Sequence, residues 1–277
     1  METSSGILHY EKKPPGRNSH SSLYLFESFA LFLSKKIPAD VHTHSHHLLK
    51  IFISLNHSFS IEYKREWRLV ETAIIRPDVA HRFASDEGAY AVLYVEGESE
   101  AGQRLYREYL GSQMICALPA SVLMPVRPSL IDLLEGKGSI SNAQSASIAI
   151  LSLLLENYAK STSGSDPRIR RIITILKQSP DKKANIEAVA RQVGLSESRL
   201  IHLFTYQVGV PPRRYALWLR LLDAIDEIVN GASFTDAAYA AGFSDSAHLS
   251  RTFRKMFGLS LVEVFKSTSV ASSFKRL

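Results

Sequence analysis

The first third of the chain alternates short apolar runs with turn residues. The runs are rich in β-branched and aromatic side chains, and residues such as Asn56, Pro77 and Gly88 separate them. Runs of this length and composition are typical of β-strands. The pattern therefore predicts an antiparallel barrel or double sheet over residues 21–110, with strands near 23–26, 30–33, 47–54, 59–63, 67–75 and 89–95.

The apolar period becomes helical after Ser99. In the last segment of this region, Ile148, Leu151 and Leu154 recur at helical spacing. Their shared face either packs on the sheet or contacts a second subunit, so residues 111–160 are predicted to form a helical dimerisation or docking segment. Polar sequence predicts a flexible arm over residues 1–20 and a linker over residues 161–166.

The chain from residue 167 to 277 contains an internal repeat. Asp166 and Pro167 have the residue types of a helix N-cap and first helical position. Residues 185–196 then align without gaps on residues 233–244, and each copy has a cap, an apolar face, a glycine and a second cap. The glycines, Gly194 and Gly242, fall where a helix must end in a left-handed residue before a sharp turn. This order of features predicts two helix-turn-helix motifs.

The second helix of each motif is predicted to begin at Ser196 and Ser244. Leu200 and Phe204 set the inward face of one helix, and Leu249 and Phe253 that of the other. A polar, partly basic face remains outside, as a helix in the major groove of DNA requires. The candidate DNA-binding residues are Ser198, Arg199, Ile201, His202 and Thr205 in the first helix, and Ser246, Ala247, His248, Ser250, Arg251, Arg254 and Lys255 in the second.

Charge is distributed unevenly along the chain. Residues 167–277 carry 17 Lys and Arg against 9 Asp and Glu, whereas residues 1–166 carry 16 against 18. A basic domain joined to a slightly acidic one suits attraction to phosphate groups. Between the two motifs, an amphipathic helix over residues 212–230 would hold two recognition helices about one duplex turn, roughly 34 Å, apart.

Residues 233–265 closely resemble the signature of the AraC/XylS family of transcription regulators, and residues 185–230 are similar to its first motif and linker helix. Leu261 departs from the family, whose members commonly carry proline there. The resemblance implies a two-domain α+β protein: an N-terminal cupin-like antiparallel β-barrel with following helices, and a C-terminal all-α double helix-turn-helix domain that binds double-stranded DNA.

Six of the ten histidines lie between His42 and His81. The cupin-like sensing domain found in many family members carries an early HxH and a later histidine, and either His42 and His44 or His44 and His46 match the early pair. The usual following glutamate is missing. We therefore expect these histidines to line a pocket for a small-molecule effector, without a structural metal or cofactor. The alternatives are that they bind a metal ion or that they have only a structural role. The candidate effector-binding residues are His42, His44, His46, His47 and His81.

Composition removes several other classes of protein. The single cysteine, Cys116, cannot form an internal disulfide. The chain has no apolar run long enough to cross a bilayer, and its start lacks the pattern of a secretory signal, so a cytoplasmic location without membrane contact is expected.

Together, these features predict an effector-modulated transcription regulator and not an enzyme. It is expected to act as a homodimer, with RNA polymerase as a partner if it activates. The rival functions are a cupin-type enzyme with an accessory DNA-binding tail and a constitutive regulator whose barrel only dimerises.

Overall fold

The computed structural model describes residues 21–26, 29–36, 48–84, 88–96, 99–156, 166–178, 185–208 and 211–272. The predicted arm and most of the predicted linker lie outside these residues. Within them, the N-terminal half is rich in strands and the C-terminal half is helical, which confirms the predicted class of fold. None of the described helices is both long and apolar enough to cross a membrane.

Two sheets form the N-terminal half. The larger has seven strands in the order β10-β1-β2-β8-β3-β6-β9, and the smaller has three in the order β5-β4-β7. All described pairings are antiparallel except that of β1 with β10. The strands are β1 (Ser21–Leu25), β2 (Phe29–Ser34), β3 (Leu49–Ser54), β4 (Phe59–Tyr63), β5 (Glu66–Val70), β6 (Thr72–Ile75), β7 (Arg82–Ala84), β8 (Tyr90–Val95), β9 (Ile115–Leu118) and β10 (Thr268–Ser272).

An aromatic core joins the two sheets. Phe52 of β3 lies 4.1 Å from Phe59 and 4.4 Å from Phe83, both of the small sheet, measured between ring centroids. Its ring also stacks on Tyr90 at 4.9 Å. Offset and tilted aromatic contacts of this kind add to the free energy gained by burying the rings. The arrangement is the double sheet that the strand pattern allowed, while the finer cupin-like description remains a prediction.

The run from residue 67 to 75, predicted as one strand, is two strands. It breaks at Glu71, so that β5 belongs to the small sheet and β6 to the large one. The large sheet also extends past residue 110, because β9 pairs with β6.

Helices cover the other face of the large sheet. They are α1 (Glu100–Leu105), α2 (Arg127–Leu134) and α3 (Ile140–Leu154). Ile150, Leu151 and Leu154 of α3 are buried against sheet residues such as Leu93, whereas Ile148 is 37% exposed. The apolar face of α3 therefore packs on the sheet. Because helices cover one face and the small sheet covers the other, the large sheet is the middle layer of this half.

The C-terminal half contains seven helices among the described residues. They are α4 (Pro167–Gln178), α5 (Ile186–Gln192), α6 (Glu197–Val208), α7 (Pro212–Val229), α8 (Phe234–Ala240), α9 (Ser246–Phe257) and α10 (Leu261–Ser267). The expectation that this half is entirely helical is wrong at its end. Strand β10 follows α10 directly and joins the edge of the large N-terminal sheet.

Candidate nucleic-acid interface

The first helix-turn-helix motif consists of α5 and α6. The Asn185 side chain caps α5 by accepting a hydrogen bond from the backbone N–H of Ala188 at 3.0 Å. Gly194 has a φ of +69°, which permits the sharp turn, and no atom would obstruct a Cβ there. The constraint at Gly194 is therefore the backbone conformation itself. The Ser196 hydroxyl then accepts from the N–H of Arg199 at 3.3 Å and caps α6, as predicted.

The second motif, α8 and α9, repeats this geometry with one extra residue. Ser233 caps α8 through the N–H of Asp236, and Gly242 has a φ of +75°. The N-cap of α9 is Asp245, whose carboxylate accepts from the N–H of His248 at 2.6 Å, and not Ser244 as predicted. The Ser244 hydroxyl instead donates to the Asp245 carboxylate at 2.9 Å.

Helix α6 places its candidate residues on an open face. Leu200 and Phe204 are fully buried in the core of the first unit. Ser198, Arg199 and His202 are exposed, while Ile201 and Thr205 are half-buried. The face that remains accessible is therefore polar, and it carries the guanidinium of Arg199 and the imidazole of His202.

Helix α9 presents a more basic face. Its apolar side is fully buried through Leu249, Phe253 and Phe257. The candidate residues Ala247, Arg251, Arg254 and Lys255 are exposed, and Ser246, His248 and Ser250 are half-buried. The His248 ring packs edge-on against Phe243, with centroids 5.2 Å apart, so it supports the turn more directly than it faces solvent.

The three basic side chains of α9 are available to an external anion. Within the described part of the chain, Arg251, Arg254 and Lys255 make no side-chain hydrogen bond or ion pair. Arg251 does act on Asp245 through space: hydrogen bonds from His248 and Ser244, and then the charge of Arg251, lower the pKa of that carboxyl. The capping carboxylate therefore stays ionised at the positive end of the helix dipole.

Helix α7 joins the two units. Its 18 residues span about 27 Å at 1.5 Å per residue. Tyr215 and Leu219 are buried in the core of the first unit, and Trp218 and Ile225 in the core that contains the second. A single uninterrupted helix therefore sets the distance and orientation of one motif relative to the other.

Arg220 of α7 holds the turn of the second motif and was not found by the sequence analysis. Its Nε donates to the carbonyl of Ala241 at 3.1 Å, and its Nη2 donates to the carbonyl of Gly242. The guanidinium also lies 4.5 Å from the Phe243 ring centroid. These carbonyls end α8, where helices leave acceptors without internal partners. Only the position of Arg220 between apolar residues of α7 could have indicated this role.

The predicted effector residues are only partly described. His42, His44, His46 and His47 lie outside the described residues. His81 is 1% exposed, its Nδ1 is 2.7 Å from the carbonyl oxygen of Val79, and its ring meets Phe83 edge-on at 4.9 Å. Lys50, on β3, is also buried, and its Nζ lies over the rings of Phe83 and Tyr94 at 5.7 and 5.5 Å. Burial lowers the pKa of the Lys50 amine well below its usual range.

The side chains of the described residues do not support a metal centre. No cluster of three or more His, Cys, Asp or Glu side chains with metal-binding geometry occurs among the described residues. Because four of the five candidate histidines are not among them, the expectation of a metal-free pocket remains a prediction.

Two capped helix-turn-helix units on one connecting helix define a double helix-turn-helix DNA-binding protein. Residues 189–267 match the family described as "Helix-turn-helix domain". The chain is 34% identical over 147 residues to the HTH-type transcriptional activator RhaS of Escherichia coli O139:H28, a match that covers 50% of this chain and 53% of RhaS. Over these residues the chain is similar to AraC-type transcription regulators, which supports the resemblance to the AraC/XylS family. It spans about half the length of the curated relatives it matches.

Solved structures also resemble this chain. Unsaturated fatty acid bound ToxT from Vibrio cholerae strain SCE256 matches with a TM-score of 0.47 and 14% identity, over 87% of this chain and 95% of that one. A transcriptional regulator with an AraC-type DNA-binding domain from Chromobacterium violaceum matches with a TM-score of 0.35 and 28% identity, over 37% of this chain and 92% of that one. The curated relatives that this chain matches are named as transcriptional activators, which agrees with the expectation that the chain is not an enzyme.

Proposed function

We propose that the chain is a sequence-specific transcription regulator that reads two adjacent major grooves of double-stranded DNA, one with α6 and one with α9. The carrying observation is that α7 rigidly joins two capped motifs whose outward faces are exposed. The basic excess of residues 167–277 supports contact with phosphate groups. The candidate residues keep the roles predicted for them, with α9 supplying most of the base reading.

The 277-residue chain should enrich a duplex sequence from a randomised library and bind it with steep salt dependence. A handful of phosphate contacts is expected to cost roughly 10³-fold in affinity between low and physiological salt, because bound counterions are released. Fluorescence anisotropy of the enriched duplex at several salt concentrations measures the slope. Affinity that ignores salt, or a library without enrichment, would contradict the proposal.

We further propose that a small-molecule effector modulates this activity through the N-terminal half. His81 and Lys50 support this, because two titratable side chains are buried in its aromatic interior. His81→Ala should change the response of a reporter gene, placed behind the enriched duplex, to a panel of metabolites. His57→Ala is the matched control, since His57 is exposed in the same half. A His81→Ala response identical to that of the control would remove the support for the pocket.

If no compound in the panel alters expression from the wild-type protein, the chain acts as a constitutive regulator. The name of RhaS, a transcriptional activator, favours RNA polymerase as a further partner. We also propose a homodimer, in which the outward face of α3 is the candidate contact. Ile148 and Leu153 are 37% and 41% exposed there. A DNA target supports the expected cytoplasmic location.

A further inference from the structure

The last described strand of the chain lies in the sheet of the other half. β10 follows α10 and pairs in parallel with β1 over five residues, from Ser21 opposite Thr268 to Leu25 opposite Ser272. The hydroxyls of Ser21 and Thr268 are 2.7 Å apart. The second helix-turn-helix unit is therefore joined to the N-terminal sheet by the backbone pairing of β10 with β1.

The hydrophobic cores of these two parts are also continuous. Phe257, the last residue of α9, meets Tyr94 of β8 edge-on, with ring centroids 5.2 Å apart. Trp218 of α7 lies 5.9 Å from the same Phe257 ring. Phe253 and Phe257 belong to one buried cluster with Tyr94 and other sheet residues. The sheet thus supplies one wall of the core that holds α9.

The first unit is packed differently. Its buried residues, among them Ile172, Leu200 and Phe204, form a separate cluster. Among the described residues, the N-terminal sheet therefore shares a buried cluster with α7 and α9, whereas the buried residues of α6 belong to another cluster. A disturbance of the sheet should move or loosen the second recognition helix before the first.

We propose that the N-terminal sheet positions the second recognition helix: Tyr94 and β10 hold α9 at the distance from α6 that binding of both grooves requires. The proposal rests on the proposed function, because it assigns a control to one of its two reading helices. Tyr94 and Val270, whose side chain packs against the shared core, are positioning residues and do not contact DNA.

The junction also lies close to the candidate effector residues. Lys50 Nζ lies between the rings of Tyr94 and Phe83, and Phe83 contacts His81. A ligand that displaced the Lys50 side chain would therefore act on Tyr94, which contacts the end of α9. An effector would then change affinity for one half of the DNA site, through contacts that differ between two states of the junction.

The contact between the sheet and α9 can be observed in the 277-residue chain through the fluorescence of its own tryptophan. The chain has two tryptophans, and Trp67→Phe leaves Trp218, 1% exposed at the junction, as the only one. In this background, Val270→Asp and Tyr94→Leu disrupt the junction from two sides, and Val270→Ile and Tyr94→Phe preserve it. Val262→Asp is the matched control, because Val262 is a 39% exposed valine of α10.

Each variant is footprinted on the duplex that the wild-type chain enriches, and the half read by α9 is the one whose protection Arg251→Ala alters. Val270→Asp and Tyr94→Leu should red-shift Trp218 emission, lose protection of that half and weaken binding about tenfold or more, while the other half stays protected. The conservative variants and Val262→Asp should behave as the parent.

If Val270→Asp and Tyr94→Leu lost protection of both halves of the DNA site equally, or kept an unchanged footprint despite the red shift of Trp218 emission, the proposed positioning of α9 would be overturned. A wild-type chain that enriches no duplex refutes the proposed function itself. A wild-type footprint whose two halves respond alike in both junction variants refutes only the role of the junction. Because Val270 lies on an edge strand, its variant tests the proposal even if Tyr94→Leu fails to fold.

Discussion

Arg220→Met should release the turn of the second helix-turn-helix motif. The substitution removes two hydrogen bonds from a charged donor, to the carbonyls of Ala241 and Gly242, and the contact with the Phe243 ring. Hydrogen bonds to charged groups contribute roughly 1.5–3 kcal/mol each, and a cation–π contact that is partly exposed contributes about 0.5–1 kcal/mol. Because Arg220 is only half-buried, the lower end of each range applies, and the expected loss of unfolding free energy is about 3.5 kcal/mol.

Chemical denaturation followed by Trp218 emission in the Trp67→Phe background measures this loss. Arg220→Lys is the matched control: it keeps the charge but lacks the planar fork that reaches both carbonyls, so it should recover less than half of the difference. The footprint of Arg220→Met should weaken at the half read by α9. Unfolding free energies of Arg220→Met and the parent that agree within about 0.5 kcal/mol would refute the role assigned to Arg220.

Two further predictions concern α9. Arg251→Ala should reduce the preference for the enriched duplex over random DNA by about tenfold to a hundredfold, as the loss of a bidentate contact with guanine would. Arg254→Ala should instead weaken binding to the enriched duplex and to random DNA alike, and lower the slope of affinity against salt by about one unit. If Arg251→Ala weakened binding to both DNAs equally, Arg251 would be a phosphate contact and not a base contact. Asp245→Ala should lower thermal stability at neutral pH. Because the folded pKa of Asp245 is lowered from 3.8, the contribution of its carboxylate is complete above that value and is lost as the pH falls through the folded pKa. Asp245→Asn, which keeps an acceptor, should retain the cap, and a melting difference between wild type and Asp245→Asn that does not change down to pH 2 would contradict this account.

The helix-turn-helix units were predictable because their signals are local. A cap accepts a hydrogen bond from an N–H three residues away, as Ser196 does from Arg199, and a glycine such as Gly194 or Gly242 meets a backbone requirement of its own turn. The apolar period of α9 likewise places Leu249 and Phe253 on one side without reference to any other element. One local signal was misjudged: Ser244 and Asp245 are both good caps, and the extra residue in the second turn gives the role to Asp245.

The sequence by itself thus determined the caps, turns and buried faces of the helices in both motifs, and with them the resemblance to the AraC/XylS family. Only the tertiary structure decided which strands pair, since pairing joins residues far apart in sequence. The run from residue 67 to 75 has an uninterrupted strand pattern, yet its halves lie in different sheets because each finds a different neighbour. Residues 268–272 have no apolar alternation, yet they form β10 because β1 leaves an open edge beside the end of α10. Arg220 and Tyr94 gain their roles in the same way, from partners that only the folded chain brings into contact.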